Sequence, residues 1–421
     1  MTSSAAGPGQ VAAGAWLSGA PTGGGRGKRV QALDLLRGLV MIIMALDHTR
    51  DYVHAAAMAF QPEDLARTTP AIFMTRWVTH FCAPAFMFLA GAGAFLRQKP
   101  STSLRPGRGG TPAGLSRFLF TRGLWLVVLE FTVVRAGFFF DVSGPPFILL
   151  VFWALGMTMM ALAALVHLPY VVLLAVSVGM IAAHNLTDGL APAQFGSVGW
   201  LWRILHVPGL LTAQPPTVVA YPLIPWIGVM AAGYCFGRVY GLESERRRRL
   251  LRRLGLSVIA AFLVTRGLNV YGDPRPWSVQ GQAVFTVLSF LNTTKYPASL
   301  SFLLMTLGPA MLFLAWADRL RVSERNPLLV FGRVPLFYFI VHIPIIHVLA
   351  IALTWLRYGA APFLFEPPPT LGTPRNVFPP DYGWDLWVAY AVTAAVVAAL
   401  YPLCVFFARL KAKGRGWVSY L

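Results

Sequence analysis

Long apolar runs separated by short polar segments fill most of the chain. A helix needs roughly 20 apolar residues to cross the hydrocarbon core of a bilayer. Ten runs meet this requirement, at about 31–54, 70–97, 115–137, 147–166, 169–187, 218–240, 250–270, 298–317, 328–356 and 385–410. The pattern therefore predicts an all-α, polytopic membrane bundle of about ten transmembrane helices. No inverted repeat is evident between its halves, which argues against a common transporter architecture.

Composition and charge agree with a membrane protein and argue against a nucleic-acid-binding one. Hydrophobic residues make up 56% of the chain and charged residues only 12%, whereas soluble domains average about 25% charged residues. The net charge of +19 does not form an aromatic-interleaved face, because 23 of the 35 Lys and Arg residues lie in or beside alternate inter-helix segments. By the positive-inside rule, these segments and both chain termini are expected in the cytoplasm. The strongest orienting segment is ESERRRRLLRRLG at 243–255.

The same pattern predicts the domain boundaries. Residues 1–28 are rich in Gly, Ala and Ser and lack the apolar core of a signal peptide, so a disordered cytoplasmic tail is expected there. One transmembrane domain is expected over 29–412, followed by a cytoplasmic tail at 413–421. The long outer loops 184–216 and 364–385 are either connectors or the roof of a site that faces outside. The three cysteines form neither a CxxC pair nor a disulfide framework.

The first apolar run carries charged side chains where a lipid-facing helix would carry leucines. Arg37 and His48 are eleven residues apart, so they share a helical face about 16 Å apart along the axis. Asp34 and Asp51 lie on the same face, and Asp47 lies on a neighbouring one. The stripe must face protein or water, because a charge at the bilayer centre costs roughly 2.5–3.5 kcal/mol. The alternative is a set of ion pairs that pins the helix, namely Asp34 with Arg37 and Asp47 with Arg50.

Polar residues recur on other predicted helices. They are Arg76 and His80 in the second helix, Arg122 and Glu130 in the third, Arg266 and Asn269 in the seventh, Tyr271 and Trp277 in the loop that follows, and Tyr338 and His342 in the ninth. The histidines show no close-spaced metal-binding motif, so no metal is expected. The sequence also lacks a nucleophile elbow, a Walker loop and a dinucleotide fingerprint.

The first helix resembles that of transmembrane acyltransferases. The acyltransferase-three family opens with an Asp-x-x-Arg pattern followed eleven residues later by an essential histidine, which corresponds to Asp34, Arg37 and His48. The chain is more similar to the bacterial branch of the heparan-alpha-glucosaminide N-acetyltransferase catalytic-domain family. The matching motifs are, in order, LDLLRGLVMIIMALDHTRDY, TRWVTHFCAPAFMFLAG, TRGLWLVVLE, YPLIPWIGVMAAGYCFG, YGDPRPW and FGRVPLFYFIVH.

This resemblance implies a donor and a catalytic group. Acetyl-CoA, or another acyl-CoA, approaches from the cytoplasm, and a sugar hydroxyl or amine is modified on the far side. The implied cofactor-binding residues are Arg37, Asp34 and Arg122. His48 is implied as general base or as carrier of the acyl group, with Asp47 or Asp51 to orient it.

The resemblance also implies acceptor contacts on the outer side. The candidates are Arg76, His80, Glu130, Arg266, Asn269, Tyr271, Trp277 and His342. For Asn269, Tyr271 and Trp277, the alternative is loop packing and anchoring at the membrane interface.

The expected function is therefore that of a multi-pass acyltransferase of the bacterial inner membrane. Its expected partners are a small-molecule acyl donor, a glycan-like or lipid-linked acceptor and membrane lipids, but not nucleic acid; a homodimer is left open. The alternative is a transporter or a glycan- or lipid-binding membrane protein without acyl transfer. A long pore from the basic face to His48 would favour the enzyme.

Overall fold

The structure is a computed structural model that describes residues 30–98, 112–140, 144–365 and 375–413. The tails expected at 1–28 and 413–421 lie outside these residues, apart from Lys413. The α-helices are α1 Gln31–Val53, α2 Ala55–Ala59, α3 Pro70–Thr79, α4 Cys82–Gln98, α5 Pro112–Leu129, α6 Arg135–Phe139, α7 Val151–Leu165, α8 Tyr170–Ala183, α9 Gly199–Leu205, α10 Leu223–Phe236, α11 Ser244–Leu268, α12 Ala283–Leu291, α13 Leu300–Ala317, α14 Pro327–Arg333, α15 Pro335–Tyr358 and α16 Leu386–Ala412. A π-helical turn, Glu130–Val134, joins α5 to α6, and short 3-10 helices follow α8 and α10.

Each of the ten apolar runs contains a helix, but the count of ten membrane spans is not confirmed. In the described part of the chain, five helical segments are long and apolar enough to cross a membrane: Pro70–Gln98, Tyr170–Thr187, Leu300–Ala317, Pro335–Tyr358 and Leu386–Ala412. Helices α1 and α11 carry several charged side chains. Helices α7 and α10 have only 15 and 14 residues.

Helix α1 lies at the centre of the bundle. It contacts α3, α4, α13, α14, α15 and α16, and none of its residues is classed as exposed. Its polar stripe therefore faces protein or an internal cavity, as the sequence predicted. Both helical ion pairs of the alternative interpretation are also present, Asp34–Arg37 at 2.8 Å and Asp47–Arg50 at 3.2 Å.

Two glycines bring α14 unusually close to α1. A Cβ atom at Gly38 would lie 1.8 Å from the Leu328 carbonyl oxygen, and one at Gly332 would lie 1.8 Å from the Asp34 carbonyl oxygen. A larger residue at either position would push the two helices apart. This contact holds the start of α1, with Asp34, against the end of α14.

Several apolar runs are not continuous helices, and the all-α expectation needs a correction. The second run is interrupted between α3 and α4, because Pro84 has no N–H to bond the His80 carbonyl one turn earlier. The fourth and sixth runs begin with strands, β1 Phe147–Leu149 and β3 Pro216–Val219. With β2 Gly209–Ala213 they form a small sheet of order β1-β3-β2, in which β3 is parallel to β1 and antiparallel to β2. A short apolar run is consistent with either a buried strand or a buried helix, so the hydrophobic pattern did not predict these strands.

Candidate active site

A cavity of about 1070 Å³ runs beside α1 through the centre of the bundle. Its lining includes Asp34 and Arg37 near the start of α1 and Asp47 and His48 near its end. His48 is fourteen residues after Asp34, which corresponds to roughly 21 Å along the helix. The volume lies at the upper limit of small-molecule sites, which are roughly 300–1,000 Å³. The cavity is therefore long and large enough for an extended ligand.

The end of the cavity near the start of α1 is strongly basic. It is lined by Arg37, Arg97 and Arg122, with Asp34 as a carboxylate partner. Arg37 donates to Asp34 Oδ1 at 2.8 Å and to the Gly332 carbonyl oxygen at 3.2 Å. The Arg97 guanidinium carbon lies 3.9 Å from the centre of the Phe118 ring. Three guanidinium groups against one carboxylate favour an anionic group at this end.

The middle of the cavity is apolar. Its walls there come from α1, α4, α5 and α7, through side chains such as Met41, Met44, Phe86, Leu126 and Leu155. Gly93 of α4 also lines the cavity, and a Cβ atom placed on it would meet nothing within 4 Å. This stretch suits the uncharged part of a long ligand and separates the basic end from the histidine end.

His48 at the other end pairs with His342 of α15. His342 is fully buried, and its Nδ1 lies 2.7 Å from the Phe339 carbonyl oxygen. Because a carbonyl oxygen only accepts, we assign the proton of His342 to Nδ1, which leaves a lone pair on Nε2. His48 Nδ1 lies 2.8 Å from that Nε2 and donates to it. The remaining nitrogen of the His48 ring, Nε2, therefore keeps a lone pair on a residue that lines the cavity.

The carboxylates expected to orient His48 have other partners. Asp47 accepts from Arg76 at 2.8 and 2.9 Å and from Thr79 at 3.0 Å, and it pairs with Arg50. Arg50 in turn contacts Asp51 at 2.8 Å. Among the described hydrogen bonds of His48, the side-chain partner is His342 rather than either carboxylate. The hydrogen-bond partner of His48 is thus a residue that the sequence suggested for acceptor binding.

Arg76 and His80 belong to a buried network rather than facing an open acceptor site. Arg76 Nε donates to Glu63 Oε1 at 2.9 Å, and His80 Nε2 lies 3.4 Å from the same oxygen. Burial alone would raise the pKa of Glu63, but Arg76 and His80 hold that pKa well below its ordinary value. Glu63 therefore remains ionised and balances Arg76. The hydrophobic pattern gave no signal for Glu63, because this residue lies in the loop between α2 and α3.

Lys295 is a second residue that the sequence analysis missed. It lines the cavity together with His48, Thr79 and Tyr221, and only 7% of it is exposed. Its signal was a single lysine in the uncharged segment FLNTTKYPASL. A cation buried beside the histidine end is able to stabilise negative charge that develops there.

The other acceptor candidates lie in structural positions. Glu130 is buried, and its Oε2 accepts from the backbone N–H groups of Phe152 and Trp153 at 2.7 and 2.9 Å, at the start of α7. A carboxylate at a helix N-terminus is stabilised by the unpaired N–H groups and the helix dipole. Glu130 thus holds α7 in place.

The loop after α11 is stabilised by its own polar groups. Arg266 donates to the carbonyl oxygens of Arg275, Ser289, Phe290 and Asn292. Asn269 exchanges two hydrogen bonds with the Trp277 backbone, and the Tyr271 hydroxyl donates to the Ala182 carbonyl oxygen at 2.5 Å. These contacts favour the loop-packing interpretation for Asn269, Tyr271 and Trp277, and Arg266 bonds carbonyl oxygens of the same region.

The described residues form a mostly helical fold with five helical segments able to cross a membrane and an internal cavity that ends at a histidine pair. These features are those of a helical membrane protein with a large central cavity. A family model described as heparan-alpha-glucosaminide N-acetyltransferase, catalytic, matches residues 29–272. The match covers more than half of the chain, so the protein belongs to this family of N-acetyltransferases. No curated protein matches the chain significantly. The matched region contains Arg37 and His48 and ends before Lys295 and His342.

Proposed function

We propose that this member of the family is a membrane acetyltransferase that takes the acetyl group of acetyl-CoA from the cytoplasm. Its acceptor is a hydroxyl or amine of an extracytoplasmic, glycan-type molecule. The basic inter-helix segments support an orientation with both termini in the cytoplasm, and the resemblance to bacterial members supports an inner-membrane location.

One observation carries the proposal: a single cavity joins three arginines to His48. Extended acetyl-CoA has phosphates at one end, an uncharged pantetheine arm in the middle and a thioester at the other end. Arg37, Arg97 and Arg122 fit the phosphates, and the apolar stretch fits the arm. The thioester then lies at His48. This arrangement favours acyl transfer over the alternative of transport or binding without chemistry.

The His48–His342 pair supplies a base of defined orientation. In direct transfer, the acceptor oxygen or nitrogen attacks the thioester carbonyl carbon while His48 Nε2 takes its proton. The carbon–sulfur bond then breaks, and the proton passes from His48 to the departing CoA sulfur. His342 Nε2 accepts from His48 Nδ1 throughout, which stabilises the imidazolium. Lys295 stabilises the negative charge on the carbonyl oxygen.

The same nitrogen also serves a two-step route. His48 Nε2 attacks the thioester carbonyl carbon, the carbon–sulfur bond breaks, and CoA leaves as the thiolate, so His48 carries the acetyl group as an acetyl-imidazolium. The acceptor then attacks the acetyl carbon, the bond to Nε2 breaks, and the proton that the acceptor loses neutralises the CoA thiolate. The two routes differ in whether labelled acetyl groups remain on the protein when no acceptor is present.

The test compares wild type, His48→Gln and His347→Gln, each purified in detergent with acetyl-CoA labelled in its acetyl group. Glucosamine and N-acetylglucosamine serve as amine and hydroxyl acceptors. His347 is the matched control, because it lies on the same helix as His342 and its ring contacts the carbonyl oxygens of Gly137 and Leu364. Loss of a general base typically costs about 10²- to 10⁴-fold in rate.

We expect label to leave acetyl-CoA with wild type and His347→Gln, and a fall of at least about 10²-fold with His48→Gln. All three proteins should have similar melting temperatures and acetyl-CoA affinities. Substantial turnover by a folded His48→Gln protein would refute the catalytic role. Failure of the wild-type protein to bind acetyl-CoA would refute the proposal that acetyl-CoA is the acyl donor.

A further inference from the structure

Two histidines and an aspartate come together outside the residues that line the cavity. His184 starts the 3-10 helix His184–Thr187 after α8, Asp188 follows that helix, and His206 follows α9. One ligand atom from each lies within 4.8 Å of the others. The sequence predicted no metal and gave no sign of this group, because His206 is 18 residues from Asp188 and only the fold brings them together.

The histidines of this cluster are buried without a full set of partners. His184 is 4% exposed and His206 is 1% exposed. Within the described part of the chain, neither nitrogen of His184 forms a hydrogen bond of ordinary geometry, and His206 Nδ1 forms none either. The Ala298 carbonyl does approach the His184 ring. Buried polar atoms normally have a partner, so unpaired nitrogens beside a carboxylate indicate a missing ligand.

The protonation states leave lone pairs available to a cation. His206 Nε2 and Asp188 Oδ1 lie 2.9 Å apart and face each other, so a cation that replaces the proton between them contacts both atoms. A neutral His184 keeps one lone pair for the same cation. A histidine that binds a metal commonly directs its other N–H to a backbone carbonyl. The Ala298 carbonyl stands in that position beside His184.

The surrounding contacts hold the cluster in place. Asn185 donates to Asp188 Oδ2 at 2.8 Å and accepts from the Leu300 backbone N–H at 2.9 Å. The cluster is thereby tied to the start of α13. The Asp188 side chain is 21% exposed, which leaves an entry path for an ion.

We propose that His184, Asp188 and His206 form a binding site for a divalent transition-metal ion, with Zn²⁺ the best fit to two imidazoles and one carboxylate. Bound there, the ion clips the segment from 184 to 206 onto the start of α13. Zinc ligands lie roughly 2.0–2.2 Å from the ion, so small side-chain rotations from the present spacing complete the site. The proposal is independent of acetyl transfer.

The experiment uses the full chain in detergent after removal of metal with a chelator. Zn²⁺ is titrated against a chromophoric competitor, Mg²⁺ serves as the comparison ion, and Co²⁺ reports coordination through its visible absorption. The variants are His184→Gln, His206→Gln and Asp188→Asn. Asp188→Asn removes the charge and keeps one acceptor oxygen, so it retains one of the two hydrogen bonds of Asp188. His347→Gln is the control for loss of a buried histidine.

We expect wild type and His347→Gln to bind about one Zn²⁺ per chain, with a melting temperature that rises with Zn²⁺ but not with Mg²⁺. Each cluster variant should bind Zn²⁺ more than about tenfold more weakly. Mutation of residues that only hydrogen-bond the metal ligands already lowers metal affinity roughly 10- to 100-fold. Wild-type binding no tighter than that of Asp188→Asn would overturn the proposal. It would leave His206–Asp188 as an ordinary hydrogen bond.

Discussion

Replacing His342 tests how the orientation of the His48 ring affects the rate, because the His48 imidazole itself is kept. His342→Leu fills a similar buried volume but removes the acceptor of the His48 Nδ1–H, which lies 2.8 Å away. A hydrogen bond to a charged group contributes roughly 1.5–3 kcal/mol, and each 1.36 kcal/mol of barrier is tenfold in rate. If that bond stabilises the imidazolium in the transition state, kcat should fall about 10- to 150-fold. The loss should be smaller than that caused by removing His48 itself.

The assay measures kcat and the acetyl-CoA KM separately. We expect kcat to fall and KM to remain near the wild-type value, because His342 is fully buried behind His48 and does not line the cavity. His342→Gln restores an acceptor oxygen and should recover part of the rate. A folded His342→Leu protein with wild-type kcat would refute the orienting role. So would equal rates for the Leu and Gln variants, since a packing defect does not distinguish an acceptor from a methyl group.

Three further predictions concern the cavity and its orientation. Arg37→Ala should weaken acetyl-CoA binding by about tenfold or more in a titration, with a normal folded yield; misfolding would instead favour the structural ion pair. Gly93→Leu should raise the acetyl-CoA KM, because Gly93 lines the cavity and a side chain added there meets open space and extends into it. Its control is Gly179→Leu, another open helical position, and equal KM values for both would contradict the donor path. Cysteines at Ser244 and Gly189 should be labelled from opposite sides of the membrane, and labelling of both from one side would contradict the orientation.

The sequence predicted the buried position of α1 because that prediction depends only on residues within the helix itself. Asp34, Arg37 and His48 repeat with the helical period, and charges at membrane depth need protein or water around them. Both the buried position of α1 and the ion pairs along it follow from that argument. The orientation of the chain in the membrane stays a prediction.

The role of individual charges could not be predicted in the same way. Glu130 and Arg266 looked like site residues because ionisable groups within apolar runs are often functional. The structure shows that they bond backbone groups at the start of α7 and near the end of α12. A charge that satisfies a helix end and a charge that binds a ligand look identical in a sequence.

Long-range pairing was also beyond the sequence. His48 and His342 are 294 residues apart, and Lys295 reaches the cavity from a segment between α12 and α13. Only the packing of α1 against α13 and α15 brings these residues together. The small sheet was missed for a different reason, because its short apolar strands carry no period that distinguishes them from helix.

The proposed chemistry requires the cavity to deliver the acyl end of CoA to His48. Bromoacetyl-CoA tests it directly, because a nucleophile at that end displaces bromide and becomes covalently labelled. The protein should carry Cys82→Ala, since Cys82 also lines the cavity and would compete. We predict one label on His48, located by mass spectrometry, prevented by excess acetyl-CoA and absent from His48→Gln. Labelling that acetyl-CoA does not prevent, or a label that persists elsewhere in His48→Gln, would contradict the account.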